Sequence, residues 1–91
     1  MEEQVYLNGT YIPKANANIS IMDRGFLFGD GVYELIPLYG KKIFLLDKHL
    51  KRLENSLNLI GMKNSGFDIN NIENIIKKLI EKNKYENYFF Y

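Results

Sequence analysis

Three polar side chains fall on one flank of the first helix that the sequence predicts. At 100° per residue, His49, Arg52 and Ser56 lie beside the leucine stripe of LLDKHLKRLENSLNLIG. Arg52 has two open interpretations: its methylenes cover the core edge while the guanidinium lies in water, or a half-buried guanidinium holds an oxyanion such as phosphate. His49 is more simply a packed, hydrogen-bonded side chain, because no nucleophile or metal-ligand constellation accompanies it in the sequence.

The segment DRGFLFGDGVYE, residues 23–34, places three glycines within seven residues. Such a density indicates a backbone shape that other residues do not readily take. The pattern is neither a nucleotide P-loop nor a dinucleotide fingerprint, because no Lys-Ser/Thr follows and it leads into a predicted strand. A tight turn that feeds a strand explains it as well. Tyr33 is then either an ordinary strand residue or a phenol in a pocket wall, with one donor and one acceptor.

The first half of the chain reads as strands joined by tight turns. Asn8-Gly9 stands between two short alternating runs, which is the strongest short hairpin signal because both residues tolerate a positive φ. Residues 32–39 predict a strand, Gly40-Lys41 a turn, and residues 42–46 the partner strand. Because Pro37 lacks an amide donor, it predicts an edge position or a bulge for its strand.

The second half predicts two helices and a last strand. Asp47 is the expected cap of the first helix and Gly61 its stop, and apolar residues recur between them at helical spacing: Leu46, Leu50, Leu53, Leu57 and Ile60. The second helix is expected near Asn70, which with Glu73 has the spacing of a capping box. The closing YENYFFY predicts a strand.

Size and composition predict one small α+β domain over residues 1–91, with a small antiparallel sheet packed against two helices. A net charge of +1 gives no electrostatic footprint for nucleic acid or an anionic membrane. The absence of cysteine excludes disulfides and thiolate metal sites. The amino terminus lacks the pattern of a signal peptide, and no apolar run reaches the roughly 20 residues that span a bilayer. We therefore expect a cytoplasmic protein.

Two blocks, DRGFLFGDGVYE and LYGKKIFLLDKHLKRLENSL, together resemble the amino-terminal domain of the fold-type IV aminotransferases, which depend on pyridoxal phosphate. The resemblance begins at Val5 and runs nearly to the end of the chain. It rests on order and spacing: the glycine-rich block with its V-Y-E, a strand–turn–strand, then H-L-x-R-L on a helix. The family includes D-amino-acid aminotransferases, branched-chain aminotransferases and aminodeoxychorismate lyases. The stretch from Tyr33 to Pro37 is most similar to the D-amino-acid group.

The resemblance implies roles for two residues. Arg52 would grip the cofactor phosphate, and Tyr33 would face the carboxylate of the substrate. The complete enzyme would be a homodimer that exchanges an amino group between a D-amino acid, D-alanine by default, and a 2-oxo acid.

The resemblance also implies what this chain does not supply. The Schiff-base lysine of the family lies in a second, carboxy-terminal domain, and no lysine here stands in a matching motif. We therefore expect no catalytic residue and no metal ligand in these 91 residues, and no transaminase activity from them alone. A fragment, a truncated gene product or one piece of a split protein would fit. The alternative from another class is a non-catalytic interaction module that keeps the fold and the dimer-forming surface.

Overall fold

The computed structural model describes residues 2–62 and 68–91, and within them it has two antiparallel sheets and three α-helices. The expected α+β class is therefore confirmed, with the strands divided between two sheets and one helix more than predicted. In chain order the elements are β1 (Gln4–Leu7), β2 (Thr10–Pro13), α1 (Arg24–Phe28), β3 (Ile36–Tyr39), β4 (Lys42–Ile43), α2 (Leu46–Leu59), α3 (Ile72–Asn83) and β5 (Tyr88–Phe90). Single 3₁₀ turns, Lys14–Asn16 and Ile69–Asn71, follow β2 and precede α3.

Both predicted two-residue turns are confirmed. Asn8 and Gly9 have φ angles of 50° and 87° and join β1 to β2. Gly40 and Lys41, with φ angles of 54° and 66°, join β3 to β4. Two successive positive φ angles are the mark of the type I′ turn, whose twist suits antiparallel strands. Local turn chemistry thus sets the register of both hairpins.

The strands of the second hairpin are shorter than the sequence predicts. The strand expected over residues 32–39 begins only at Ile36, because the preceding stretch turns Glu34 toward α2 instead of pairing with a neighbouring strand. The strand expected over 42–46 ends at Ile43, since Leu45 takes a left-handed φ of 53° and leads directly into α2. The glycine-rich segment also contains α1, which the sequence did not predict.

The predicted edge position of Pro37 is wrong. The strand order is β4-β3-β5, so Pro37 lies in the central strand. Its carbonyl accepts a hydrogen bond of 2.8 Å from the Phe44 amide. Because antiparallel partners exchange both bonds on the same side, the proline nitrogen also faces Phe44, just beyond the end of β4. Because β4 ends at Ile43, no ladder hydrogen bond from the Pro37 nitrogen is required.

Both predicted helix caps are wrong, although the helices themselves are confirmed. Leu45 is the residue that caps α2, and Asp47 lies inside the first turn, where the helix dipole favours an acid. The predicted capping box of α3 does not form, because Asp68 caps the preceding 3₁₀ turn by accepting from the Asn70 amide at 3.0 Å. The predicted stop at Gly61 is confirmed by its left-handed φ of 77°.

The core is small and centred on β3. Four apolar side chains are buried, and Leu38 is the most completely enclosed of them: Ile36, Leu38, Ile76 and Phe90. Phe90 comes from β5, which confirms the predicted last strand and brings the end of the described chain into the core. The accessible surface is 7030 Å², whereas a compact monomer of 10.7 kDa exposes about 5,500 Å². The chain therefore exposes more surface than a compact monomer of its mass.

The amino-terminal hairpin is held to α3 by polar contacts. The Gln4 amide donates to Asn83 Oδ1 at 2.7 Å, and Asn83 Nδ2 returns a bond of 3.0 Å to the Gln4 carbonyl. The Glu3 carboxylate accepts from the hydroxyls of Tyr85 and Tyr88, and these bonds lower the pKa of Glu3. The hairpin is thus tied to the last turn of α3 through Asn83, and to β5 of the second sheet through Tyr88.

Across residues 2–62 and 68–91, every helix is too short or too polar to cross a bilayer. The same residues contain no group of three or more histidine, cysteine and acidic side chains that could hold a metal ion.

Candidate functional site

The predicted polar flank of α2 exists, and a residue from outside the helix completes it. Glu34 Oε2 accepts from Arg52 Nε at 2.7 Å, and Glu34 Oε1 accepts from Arg52 Nη2, also at 2.7 Å. His49 Nδ1 lies 2.8 Å from Glu34 Oε1. These three residues, Glu34, His49 and Arg52, form one cluster that we call the carboxylate clamp. Ser56, the third residue of the predicted flank, makes no side-chain hydrogen bond with the described residues.

The members of the carboxylate clamp differ greatly in burial. Only 8% of the Glu34 side chain is exposed and 16% of the His49 side chain, whereas 66% of the Arg52 side chain is exposed. A carboxylate removed from water must be paired or neutralised. The fork of the guanidinium satisfies it with two parallel bonds, the geometry that makes such pairs specific.

Arg52 therefore fits neither sequence interpretation completely. Its guanidinium is exposed, as in the interpretation of a solvated helix face, but it is fixed in orientation by a partner within the chain. Nε and one edge of Nη2 are occupied by Glu34. Among the described residues nothing accepts from Nη1, so one edge of the guanidinium faces outward with its donors available.

Two pKa shifts follow from this arrangement. The hydrogen bonds from Arg52 lower the pKa of Glu34 from 4.5 to about 2, with a smaller contribution from His49, against the opposing effect of burial. The same bonds raise the pKa of Arg52. Glu34 is consequently an acceptor-only carboxylate near neutral pH.

The charge of Glu34 also assigns the proton on His49. Because the carboxylate only accepts, the 2.8 Å contact requires a proton on His49 Nδ1. An Nδ1–H group cannot accept from Arg52 Nη2, which lies 3.4 Å away. His49 therefore serves as a second donor to Glu34, in agreement with the prediction of a packed, hydrogen-bonded histidine.

Tyr33 lies next to Glu34 in sequence but points to a different environment. Its side chain is 70% exposed, and its ring centroid is 5.6 Å from that of Tyr91. Tyr33, Glu34 and Tyr91 line a cavity of about 420 Å³ whose other walls are largely apolar side chains of α3 and its neighbours. Tyr33 thus lies outside the regular strands and at the wall of this cavity.

The glycine-rich segment forms a capped helical turn. The Asp23 carboxylate accepts from the Gly25 amide at 2.9 Å and caps α1, and Gly29 ends it with a φ of 70°. A Cβ at position 25 would lie 2.9 Å from that carboxylate, so the Asp23 side chain would have to shift to admit another residue there. Arg24 and Asp30 close the segment with an ion pair of 2.7 Å.

The sequence interpretation missed Glu34 as a site residue. The available signal was an acidic side chain inside the apolar run VYELI, 15 and 18 residues before His49 and Arg52. Nothing in the spacing alone specifies that the segment before β3 crosses α2 at this point, because the contact is made between elements distant in sequence.

Comparison with known proteins places this fold and site in a family. The model of the amino-transferase class IV family matches residues 31–91, a span that contains Tyr33 and the whole carboxylate clamp. The chain belongs to the class IV aminotransferases, as the resemblance of its motifs indicated.

Several similar curated proteins are D-alanine aminotransferases. The D-alanine aminotransferase of Staphylococcus aureus (strain N315) is 34% identical over 84 residues, which is 92% of this chain and 29% of that protein. The D-alanine aminotransferase of Staphylococcus haemolyticus is 32% identical over the same coverage. That of Bacillus licheniformis is 37% identical over 81 residues, 89% of this chain and 28% of the relative. The chain thus spans less than a third of the length of these relatives.

The carboxylate clamp predicts how acid affects folding. Because the folded state lowers the pKa of Glu34 to about 2, its stabilising contribution is complete above pH 4.5 and is lost as the pH falls toward about 2. In Glu34→Gln we expect lower stability near neutral pH and a shallower acid limb. The slope should fall by at most about 1.4 kcal/mol per pH unit, the value for one proton. Urea unfolding at a series of pH values from about 2 to 7 measures it, since the change is expected between 4.5 and about 2.

Glu54→Gln is the matched control, because Glu54 is an exposed acid on the same helix. It should keep the acid limb of the wild type. Parallel limbs for the wild type and Glu34→Gln would contradict the prediction.

Proposed function

We propose that the complete protein is a pyridoxal-phosphate aminotransferase that exchanges an amino group between a D-amino acid, with D-alanine as the first choice, and a 2-oxo acid. The observation that carries the proposal is Arg52, whose exposed guanidinium edge is held in place by a buried carboxylate. The names of the relatives support the D-amino acid. Bound cofactor would supply the electron sink for the substrate carbanion.

The donor set of Arg52 fits a phosphate group. The outward edge offers N–H donors in a plane, and guanidinium is the side chain best suited to oxyanions at such a site. Glu34 already occupies the inner edge, so an anion can approach only from outside the lobe. We therefore assign Arg52 to the cofactor phosphate.

Tyr33 is proposed to face the carboxylate of the substrate. Its exposed phenol can donate one hydrogen bond from a rigid ring at the cavity wall. We place the Schiff-base lysine outside these 91 residues, since none of the lysines here stands in a matching motif. The residues of this lobe would bind and orient, and the covalent chemistry would belong to the rest of the enzyme.

Substrate preference tests the proposed function. The protein purified from its source cell should form pyruvate from D-alanine and 2-oxoglutarate, with much slower reaction of L-leucine. Faster reaction of L-leucine would favour a branched-chain enzyme, and cleavage of aminodeoxychorismate would favour a lyase. The 91-residue chain is the internal control: after addition of pyridoxal phosphate and borohydride it should show no stoichiometric adduct at a single lysine. Such an adduct, with turnover of D-alanine, would overturn the assignment.

Replacement of Arg52 tests the phosphate assignment. In the complete enzyme, Arg52→Ala should weaken cofactor retention about tenfold to hundredfold, since a hydrogen bond to a charged group contributes about 1.5–3 kcal/mol. Equilibrium dialysis against pyridoxal phosphate measures the change. Lys51→Ala removes a neighbouring exposed cation and should leave the affinity near that of the wild type. Equal affinities for Arg52→Ala and wild type would leave Arg52 as part of a solvated helix face.

The exposed apolar surface predicts association. Large apolar side chains are uncovered on several elements, including Ile21, Phe26, Leu59, Phe89 and Tyr91. Contiguous apolar patches beyond a few hundred Å² are uncommon on monomers, and a symmetric dimer covers them most economically. We therefore propose that the 91-residue chain associates with itself as a dimer or larger assembly, with β5 inside the contact, because its outward aromatic side chains lie on an edge strand. Light scattering across a dilution series to low micromolar checks this. A monomer at every concentration would refute it.

A further inference from the structure

The segment that carries Tyr33 has no regular structure of its own. It lies between α1, which ends at Phe28, and β3, which begins at Ile36. Within the described parts of the chain, the backbone groups of residues 31–35 find no intrachain hydrogen-bond partner. Neither a strand-pairing hydrogen bond nor a turn hydrogen bond therefore fixes the position of Tyr33.

The Glu34 side chain supplies the polar tie that the backbone lacks. It is almost fully buried and makes three contacts within 2.8 Å, all to residues of α2. Two of these contacts restrain Arg52, whose long side chain is otherwise mostly in solvent. One carboxylate thus holds the backbone of Tyr33 on one side and the guanidinium of Arg52 on the other.

We propose that Glu34 is a positioning residue that fixes Tyr33 and Arg52 relative to each other, so that the two groups assigned to substrate and cofactor phosphate form one rigid unit. Glu34 touches neither of these ligands in this role. It also sets the approach of the phosphate, because it occupies the inner edge of the guanidinium and leaves only the outer edge. This inference rests on the proposed role of Arg52 in holding a phosphate.

Because Glu34 is negatively charged, loss of its charge and loss of its positioning role would change the phosphate affinity in opposite directions. A carboxylate next to an anion site repels the incoming phosphate, so removal of its charge alone would strengthen phosphate binding. Loss of positioning has the opposite effect, since the freed Arg52 must be ordered each time an anion binds. We infer that positioning dominates, because Gln can accept only one of the two Arg52 bonds and places an N–H group against the other donor.

The experiment is side-chain NMR on the 91-residue chain. The sequence has two arginines, Arg24 and Arg52, so the spectrum contains two Nε–H signals. In the wild type both should be ordered and slow to exchange, because each Nε donates to a carboxylate at 2.7 Å. In Glu34→Gln the Arg52 signal should lose its protection and the ring signals of Tyr33 should shift, while Arg24 serves as the unchanged internal reference. Glu54→Gln should leave all these signals in place.

Anion binding is measured in the same samples. The probes are inorganic phosphate and pyridoxine 5′-phosphate, which carries the phosphate ester without an aldehyde and so forms no imine with lysine. Unphosphorylated pyridoxine is the blank. In the wild type the Arg52 Nε–H signal should move with either phosphate. In Glu34→Gln the affinity should be about twofold to fivefold weaker, the range expected from an exposed ion pair.

The outcomes separate a failure of the positioning role of Glu34 from a failure of the phosphate site at Arg52. Equal or tighter phosphate binding in Glu34→Gln, or an Arg52 signal that is already mobile in the wild type, would overturn the positioning role. An ordered Arg52 that does not respond to phosphate in the wild type would instead overturn the proposed phosphate site, and the inference with it. If Glu34→Gln does not fold, Arg52→Lys replaces it: the fork is lost at a mostly exposed position, and the Tyr33 ring signals should still shift. Unchanged Tyr33 signals in a folded Arg52→Lys would refute the coupling.

Discussion

The burial of one carboxylate organises this lobe. A charged group taken out of water is stable only if hydrogen-bond donors surround it, and Glu34 finds its donors in Arg52 and His49 on α2. That requirement fixes where the segment before β3 crosses the helix, and β3 accordingly begins at Ile36 and not at the expected residue 32. The orientation of the outward guanidinium edge follows from it.

The second constraint is the small size of the hydrophobic core. Four buried apolar side chains centred on Leu38 leave much of the apolar surface uncovered, and the accessible area exceeds that of a compact monomer of this mass. The chain also spans less than a third of the length of its D-alanine aminotransferase relatives. The uncovered apolar surface is the reason for the proposed association.

The chemistry assigned to these residues is orientation. Arg52 offers a planar donor edge for a phosphate, and Tyr33 offers a phenol at a cavity wall. Such groups lower the entropy cost of bringing cofactor and substrate together without forming or breaking bonds themselves. A site of this kind depends on rigidity, and here one buried carboxylate provides it to both groups.

The sequence by itself determined the features that depend on neighbouring residues. It predicted the turns at Asn8-Gly9 and Gly40-Lys41, both main helices, the last strand, and the family through the spacing of its motifs, because backbone preference and side-chain periodicity act over a few residues. Tertiary structure alone decided the central position of Pro37 and the pairing of Glu34 with Arg52. Those outcomes depend on which strand ends beside Pro37 and on which helix passes over Glu34. Contacts between distant parts of the chain leave no fixed spacing in the sequence, so a pattern of residues could indicate Arg52 but not the carboxylate that holds it.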